Sequence, residues 1–164
     1  MDFRDFELIQ EIDSDLPSVI GHYDLLLQVF TNLVGNALKF TQSGGKVAIR
    51  AYQLDHNSIS GVVRIEVSDT GIGIDPEDQA AIFERFFRVE NRVHTLEGTG
   101  LGLSIVRNIM DKHHTNVHLV SEVGIGTTFW FDLSVFQEPA KMNHLPGVDT
   151  LTGNQTVDTT ATVS

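Results

Sequence analysis

Four short motifs in this chain carry residue types and spacings that could do chemistry: Asn32-Leu-Val-Gly-Asn36-Ala-Leu-Lys39, Asp69-Thr-Gly71-Ile-Gly73, Gly98-Thr99-Gly100-Leu101-Gly102-Leu103 and Gly124-Ile-Gly126-Thr127. Together they point to ATP. A lone glycine pair could be a turn, because glycine relieves strain wherever φ is positive. Asn36 is a candidate Mg²⁺ ligand, since that ion prefers oxygen donors and keeps waters and substrate phosphates in its shell. Asn32 could supply a second oxygen or hold a metal-bound water, and Lys39 offers a point charge to phosphate. Taken alone, the three fit a polar, solvated helix face equally well.

Asp69 is an acceptor-only carboxylate, and the amino group of adenine is a donor that such an acceptor reads in a closed pocket. Gly71 and Gly73 would let the backbone come close to the ring. In isolation Asp-Thr-Gly is more often an ordinary turn. The third motif directly precedes an apolar helix, so backbone N–H groups and the positive end of the helix dipole are available to phosphates. Gly45-Lys46 lacks the glycine spacing of a Walker loop, and no dinucleotide fingerprint follows a first strand.

These motifs need elements to position them. Phe6 to Ile12 reads as an edge strand. Asp24 opens a helix in which Leu26, Val29, Leu33, Ala37 and Phe40 recur at helical spacing, with Asn32, Asn36 and Lys39 at i, i+4 and i+7 beside that stripe. Lys46 to Gln53 and Val62 to Ser68 alternate as a hairpin with Val63, Ile65 and Val67 inward, and Asp69 ends the second strand. Asp75-Pro76 supplies a cap and a first-turn proline for a short helix through Phe83. Val89 to Gly98 has no apolar period and reads as a lid. A helix from about Gly100 carries Leu103, Val106, Ile109 and Met110 on one face, and strands at Val117 to Glu122 and Thr128 to Val135 flank a turn at Val123 to Gly126. Hairpins backed by helices on one side imply a two-layer α/β sandwich with a mixed, mainly antiparallel sheet.

At 164 residues and 41% hydrophobic content the chain suits one domain with its own core. Residues 1–136 read as that domain, and 137–164 as a disordered tail with little to bury. No apolar run reaches the roughly 20 residues that cross a bilayer, and the first residues lack a signal peptide's pattern, so the domain reads as cytoplasmic. There is no cysteine for disulfides or thiolate metal sites. Eleven Lys and Arg against 22 Asp and Glu give a net charge of −11, which disfavours direct binding to nucleic acid or anionic membrane. A phosphate site on such a chain needs a cation, a lysine or a helix N-terminus nearby.

From about Phe6 to Val135 the motif set resembles the catalytic, ATP-binding domain of sensor histidine kinases, within the larger family shared with gyrase, mismatch-repair and heat-shock chaperone ATPases. The resemblance implies a Bergerat-type fold and a protein-histidine kinase using ATP and Mg²⁺. It assigns Asn32, Asn36 and Lys39 to metal and phosphate, with Asn36 as metal ligand, and Phe40 and Asp69 to adenine. Gly71 and Gly73 match the first glycine box, Phe83, Phe86 and Phe87 the aromatic box, and Gly98 to Leu103 the second glycine box. Gly124, Gly126 and Thr127 complete the nucleotide site. Arg88 stands where relatives often place a cation for the γ-phosphate, so Asn32, Lys39 and Arg88 are the expected catalytic residues. The larger family's ATPases carry a glutamate where this chain has Asn32, which favours phosphoryl transfer over hydrolysis.

The acceptor histidine of such a kinase lies in a His-Glu-Leu-Arg-Thr-Pro-like context that none of His22, His56, His94, His113, His114, His118 and His144 has. They read as scattered surface histidines. The implied partners are therefore a dimerisation and histidine phosphotransfer domain of the same kinase and a response regulator, and the chain reads as a fragment cut after the dimerisation hairpin. His113-His114-Thr115-Asn116 departs from the family's usual His-Gly-Gly. Glu90 to Gly98, with Trp130 to Leu133, is similar to the NblS-type kinases of cyanobacteria and algal plastids. That likeness implies a membrane-anchored parent and a small regulatory protein docking on this domain. The alternatives are an ATPase clamp and a non-catalytic interaction module.

Overall fold

The computed structural model describes residues 5–56, 61–84 and 102–137. The lid stretch, Phe86, Phe87 and nearly all of the proposed tail lie outside them. Among the described residues, helix α1 (Tyr23–Phe40) and helix α2 (Gly102–Lys112) cover one face of a sheet of strands β1 (Glu7–Ile12), β2 (Lys46–Gln53), β3 (Val62–Asp69), β4 (His118–Glu122) and β5 (Gly126–Ser134). The spatial order is β1-β2-β3-β5-β4. Only β1 runs parallel to its neighbour among these pairs; β2–β3, β3–β5 and β4–β5 are antiparallel. The sheet is mixed and the architecture is two-layered, as the alternating segments require.

The core follows from two periodicities. On α1, Val29, Leu33 and Ala37 recur every four residues and are buried, while β3 alternates buried Val63, Ile65 and Val67 with Arg64, Glu66 and Ser68 on the other face. Val106, Ile109 and Met110 of α2 meet the same cluster, together with Phe129, Phe131 and Leu133 of β5. Phe131 is fully buried and takes the edge of the Phe30 ring at 6.1 Å between centroids. Each fully buried side chain of this size contributes about 1.5–3 kcal/mol by leaving water.

On the opposite face, polar and aromatic side chains cross-link the strands. Arg64 Nε and Nη2 donate to the two Asp132 oxygens at 2.8 and 3.0 Å. The Arg64 guanidinium lies 3.8 Å from the Trp130 ring centroid, and His118 stacks on Trp130 at 3.9 Å. Such cross-strand pairs fix register on a face that no helix among the described residues covers.

Local departures from the sequence reading have identifiable causes. Helix α1 begins at Tyr23, one residue before Asp24, because His22 is its N-cap and accepts the Leu25 N–H at Nδ1, 3.4 Å away. His113 Nδ1 donates to the Ile109 carbonyl at 2.8 Å, and its Nε2 accepts the His22 N–H at 3.0 Å. His22 and His118 are exposed, as the sequence reading expects, and His113 is half-buried; all three also make structural ties. Asp75-Pro76 opens turns closed by Asp78 N–H to the Asp75 carbonyl, and helical geometry is limited to a 3₁₀ turn at Ala81–Phe83. Strand limits moved by one or two residues: β1 starts at Glu7, β4 at His118, and β5 runs Gly126–Ser134.

Helix α2 ends in a Schellman arrangement. Thr115 N–H reaches the Met110 carbonyl and His114 N–H the Asp111 carbonyl, with His114 at φ +56°. A left-handed residue other than glycine costs about 1–2 kcal/mol, part of which glycine returns through its freer unfolded chain. His114→Gly is expected to raise the unfolding free energy by about 0.5–1 kcal/mol in a urea titration. A loss of stability would mean that the imidazole makes contacts worth more than the strain.

Candidate functional site

The site is built where the ends of α1, β3, α2 and the β4–β5 hairpin converge. On α1, Asn32, Asn36 and Lys39 form a half-buried line beside the Val29, Leu33 and Ala37 stripe. Gly102 opens α2 against this line: a Cβ added there would stand 3.2 Å from Asn32 Oδ1. The amide of Asn32 thus lies at the first turn of α2, where the helix dipole favours anions. Lys39 has its ammonium 5.6 Å from the Phe40 ring centroid.

Asp69 closes β3 at the other end. Its carboxylate accepts the Gly71 N–H at 2.8 Å and the Thr127 backbone N–H. Burial holds its pKa above the ordinary carboxylate value in spite of those two donors. Thr127 faces Asp69 across β3–β5, and Ser121 faces Thr127 across β4–β5, so the three form one row on the helix-covered side of the sheet.

Gly71 and Gly73 also meet a packing requirement that the sequence did not show. A Cβ on Gly71 would overlap the Phe40 carbonyl oxygen, and one on Gly73 the Glu122 carbonyl oxygen. Gly73 also has φ +76°. Both positions are filled by the protein's own backbone, so glycine lets the loop after β3 seat between the end of α1 and the β4–β5 hairpin. That seating is what brings Asp69 to the α1 line.

Two further residues that tie these elements together were not read from the sequence. Ser121 Oγ accepts the Ile74 N–H at 2.8 Å and lies 2.7 Å from Thr127 Oγ1, and Gln79 Nε2 donates to the carbonyls of Ile74 and Ser121 at 3.0 and 3.2 Å. The sequence reading missed Ser121 by one residue: a turn at Val123 to Gly126 sets it opposite Thr128, whereas the observed pairing of Glu122 with Gly126 sets it opposite Thr127. Gln79 has no sequence signal. Leu103 and Phe83 are partly buried against the core, with the Phe83 ring near-perpendicular to that of Phe129. Arg88, Gly98, Thr99, Gly100 and Leu101 lie outside the described residues.

Chemically, the arrangement offers a half-buried acceptor at one end, amide oxygens and a lysine at the other, and a helix N-terminus between them. Among the described residues no group of three or more His, Cys, Asp or Glu could hold a metal ion. A cation here would draw on Asn oxygens, water and the ligand's own phosphates, which suits Mg²⁺.

Residues 21–137 match the profile of the histidine kinase-, DNA gyrase B- and HSP90-like ATPase family. The chain is 66% identical over 139 residues to drug sensory protein A of Synechocystis sp., covering 82% of this chain and 21% of that protein. It is 48% identical over 136 residues to the uncharacterized sensor-like histidine kinase ycf26 of Porphyra purpurea, covering 78% and 21%. The chain thus spans about a fifth of the length of these curated relatives. Among solved structures it is similar to full-length ShkA in complex with AMPPNP, with TM-score 0.67, 33% identity, and 87% of this chain and 28% of that one covered. It is also similar to the nucleotide-free catalytic domain of histidine kinase ThkA, with TM-score 0.65, 30% identity, and coverage of 79% and 80%.

Proposed function

The chain belongs to the histidine kinase-, DNA gyrase B- and HSP90-like ATPase family, and from that premise we propose that it is the ATP- and Mg²⁺-binding catalytic domain of a two-component sensor histidine kinase. It delivers the γ-phosphate of ATP to a histidine on a separate dimerisation domain, for relay to a response regulator. The observation that carries this reading is Asn32 at the first turn of α2. An amide there orients by hydrogen bonds but cannot take a proton from water, and a missing base forgoes about 10²- to 10⁴-fold in hydrolysis.

Asp69 and Thr127 read adenine, with Phe40 against the base. Asn36 holds Mg²⁺ and Asn32 assists it. Lys39 and the N–H groups of the second glycine box, Gly98 to Leu103, take the phosphates, and Arg88 meets the γ-phosphate. The metal, when bound, spreads the charge of the transferred oxygens. The chain's own residues align nucleotide and acceptor, which is most of what a loose phosphoryl-transfer transition state requires. The AMPPNP in the ShkA structure supports an adenine nucleotide as ligand.

The catalytic domain is assigned to residues 1–136. No helix among the described residues is long and apolar enough to cross a membrane, and the parent kinase, anchored by other segments, carries the domain on the cytoplasmic side. A small regulatory protein docking on the domain belongs to the same proposal.

Incubating the chain with radiolabelled ATP, Mg²⁺ and a separately produced histidine-bearing helical hairpin of a related kinase tests this. The expected result is acid-labile, base-stable phosphate on the hairpin, with little phosphate release by the chain alone. Steady ATP turnover without an acceptor would favour the clamp reading instead.

A further inference from the structure

Edge strand β1 keeps an apolar row half out of the core. Leu8, Gln10 and Ile12 point to the helix-covered side of the sheet, in register with Val47, Ile49 and Ala51 of β2. Val47 and Ala51 are buried, whereas Leu8 and Ile12 are 50% and 56% exposed. The difference arises because α1 packs over β2 and β3 instead of the edge strand. Asn32 meets α2 at Gly102, so the opposite flank of α1 looks toward β1. At helical spacing that flank carries Leu27, Val34 and Leu38. Leu27 is 52% exposed, and Val34 and Leu38 are partly buried. Sheet edge and helix flank together leave an apolar groove, and exposed apolar surface of this kind marks an interaction site.

The charge around this groove has one sign. From Asp5 to Leu38 the chain has six acidic residues, Asp5, Glu7, Glu11, Asp13, Asp15 and Asp24, and no Lys or Arg. All six are exposed. Glu7 and Glu11 stand on the other face of β1, paired with Lys46 at 3.2 Å and Arg50 at 2.6 Å. Asp5, Asp13, Asp15 and Asp24 have no ion-pair partner among the described residues, and they bracket the groove. Asp5 precedes β1, Asp13 and Asp15 follow Ile12, and Asp24 lies one turn before Leu27. We propose that the groove between β1 and α1 docks a basic amphipathic helix of a partner protein. The apolar face of such a helix covers Leu8, Ile12 and Leu27, and flanking Lys and Arg meet the four carboxylates. The same rim repels a second copy of this chain, whose net charge is −11, and an anionic membrane. Groove and Asn line lie on opposite flanks of α1, so helix and nucleotide bind together.

The probe is a capped Leu/Lys peptide of 18 residues, the length of α1, with its leucines at helical spacing. One control keeps the composition but scrambles the stripe, and another has Glu for every Lys. Calorimetry at physiological salt should show saturable binding of the first, about tenfold or more tighter than either control. L8S/I12S/L27S should weaken that binding about tenfold. V120S/V123S/I125S, which removes comparably exposed apolar side chains at the opposite edge of the sheet, should leave it unchanged, as should saturating ADP. Amide shifts of the wild-type chain, which need no substitution, should move along β1 and the Leu27 flank of α1. Equal binding of the scrambled peptide would reduce the effect to charge alone. Equal loss in both triple variants, or shifts elsewhere, would remove the groove, and competition by ADP would move the probe to the nucleotide site. A dimer of the chain in sedimentation that L8S/I12S/L27S abolishes would make the occupant a second copy. Any of these results overturns the inference.

Discussion

Asp69→Asn is expected to cost about 100-fold in ADP affinity, the loss of a charge-assisted hydrogen bond plus an unpaired donor turned toward the N6 amine. The variant should nevertheless fold. Its Oδ1 still accepts the Gly71 N–H, and the cost of burying a charge disappears, which offsets the weakened bond from the Thr127 N–H. The sign of the pH dependence follows from linkage. Burial raises the Asp69 pKa in the folded state above its ordinary value of 3.8, so between the two values the folded chain binds more protons than the unfolded one. The stability contribution is full at pH below the unfolded value and is lost as pH rises through the folded one. In wild type, stability should fall across that window as pH increases, and the D69N variant should be flat there. ADP affinity runs the other way, because only the ionised carboxylate is a pure acceptor: it should weaken as pH drops through the raised pKa. Urea titrations and calorimetry across the acidic range check both slopes. A D69N chain that binds ADP normally would remove Asp69 from the adenine site.

The second large effect concerns the metal. Asn36→Ala is expected to abolish the gain in nucleotide affinity that Mg²⁺ confers, a loss of about 100-fold measured with Mg²⁺ and none in its absence. Asn36 is half-buried on α1, and alanine raises helix propensity by about 0.5 kcal/mol, so the melting temperature should not fall. Titrating ADP with Mg²⁺ and again with chelator, on wild type and N36A, separates a ligand from a scaffold residue. An equal loss under both conditions would assign Asn36 to packing.

What the sequence disclosed divides along physical lines. Strand β2 was legible to the residue, and β3 except for its last, Asp69, because alternation at period two is a local signal. The stripe on α1 was equally plain, and with it the line of Asn32, Asn36 and Lys39. The parallel pairing of β1 with β2 was not legible, since α1 intervenes and no local pattern encodes which edge a distant strand joins. Capping by His22 escaped for a related reason: its backbone is held in a pairing with His113, 91 residues away. The glycines at positions 71 and 73 were seen, but not the packing that requires them, because the atoms that forbid a Cβ there belong to Phe40 and Glu122, which only the fold brings close. Ser121 lay one register count from discovery.

The measurement that bears most directly on the central claim is calorimetric titration of the chain with ADP and a non-hydrolysable ATP analogue, with and without Mg²⁺, and with GTP as control. The account predicts saturable, adenine-selective binding that Mg²⁺ strengthens, and about 2.7 kcal/mol of added stability at 100 times Kd. No binding at millimolar nucleotide, or equal binding of GTP, would contradict it.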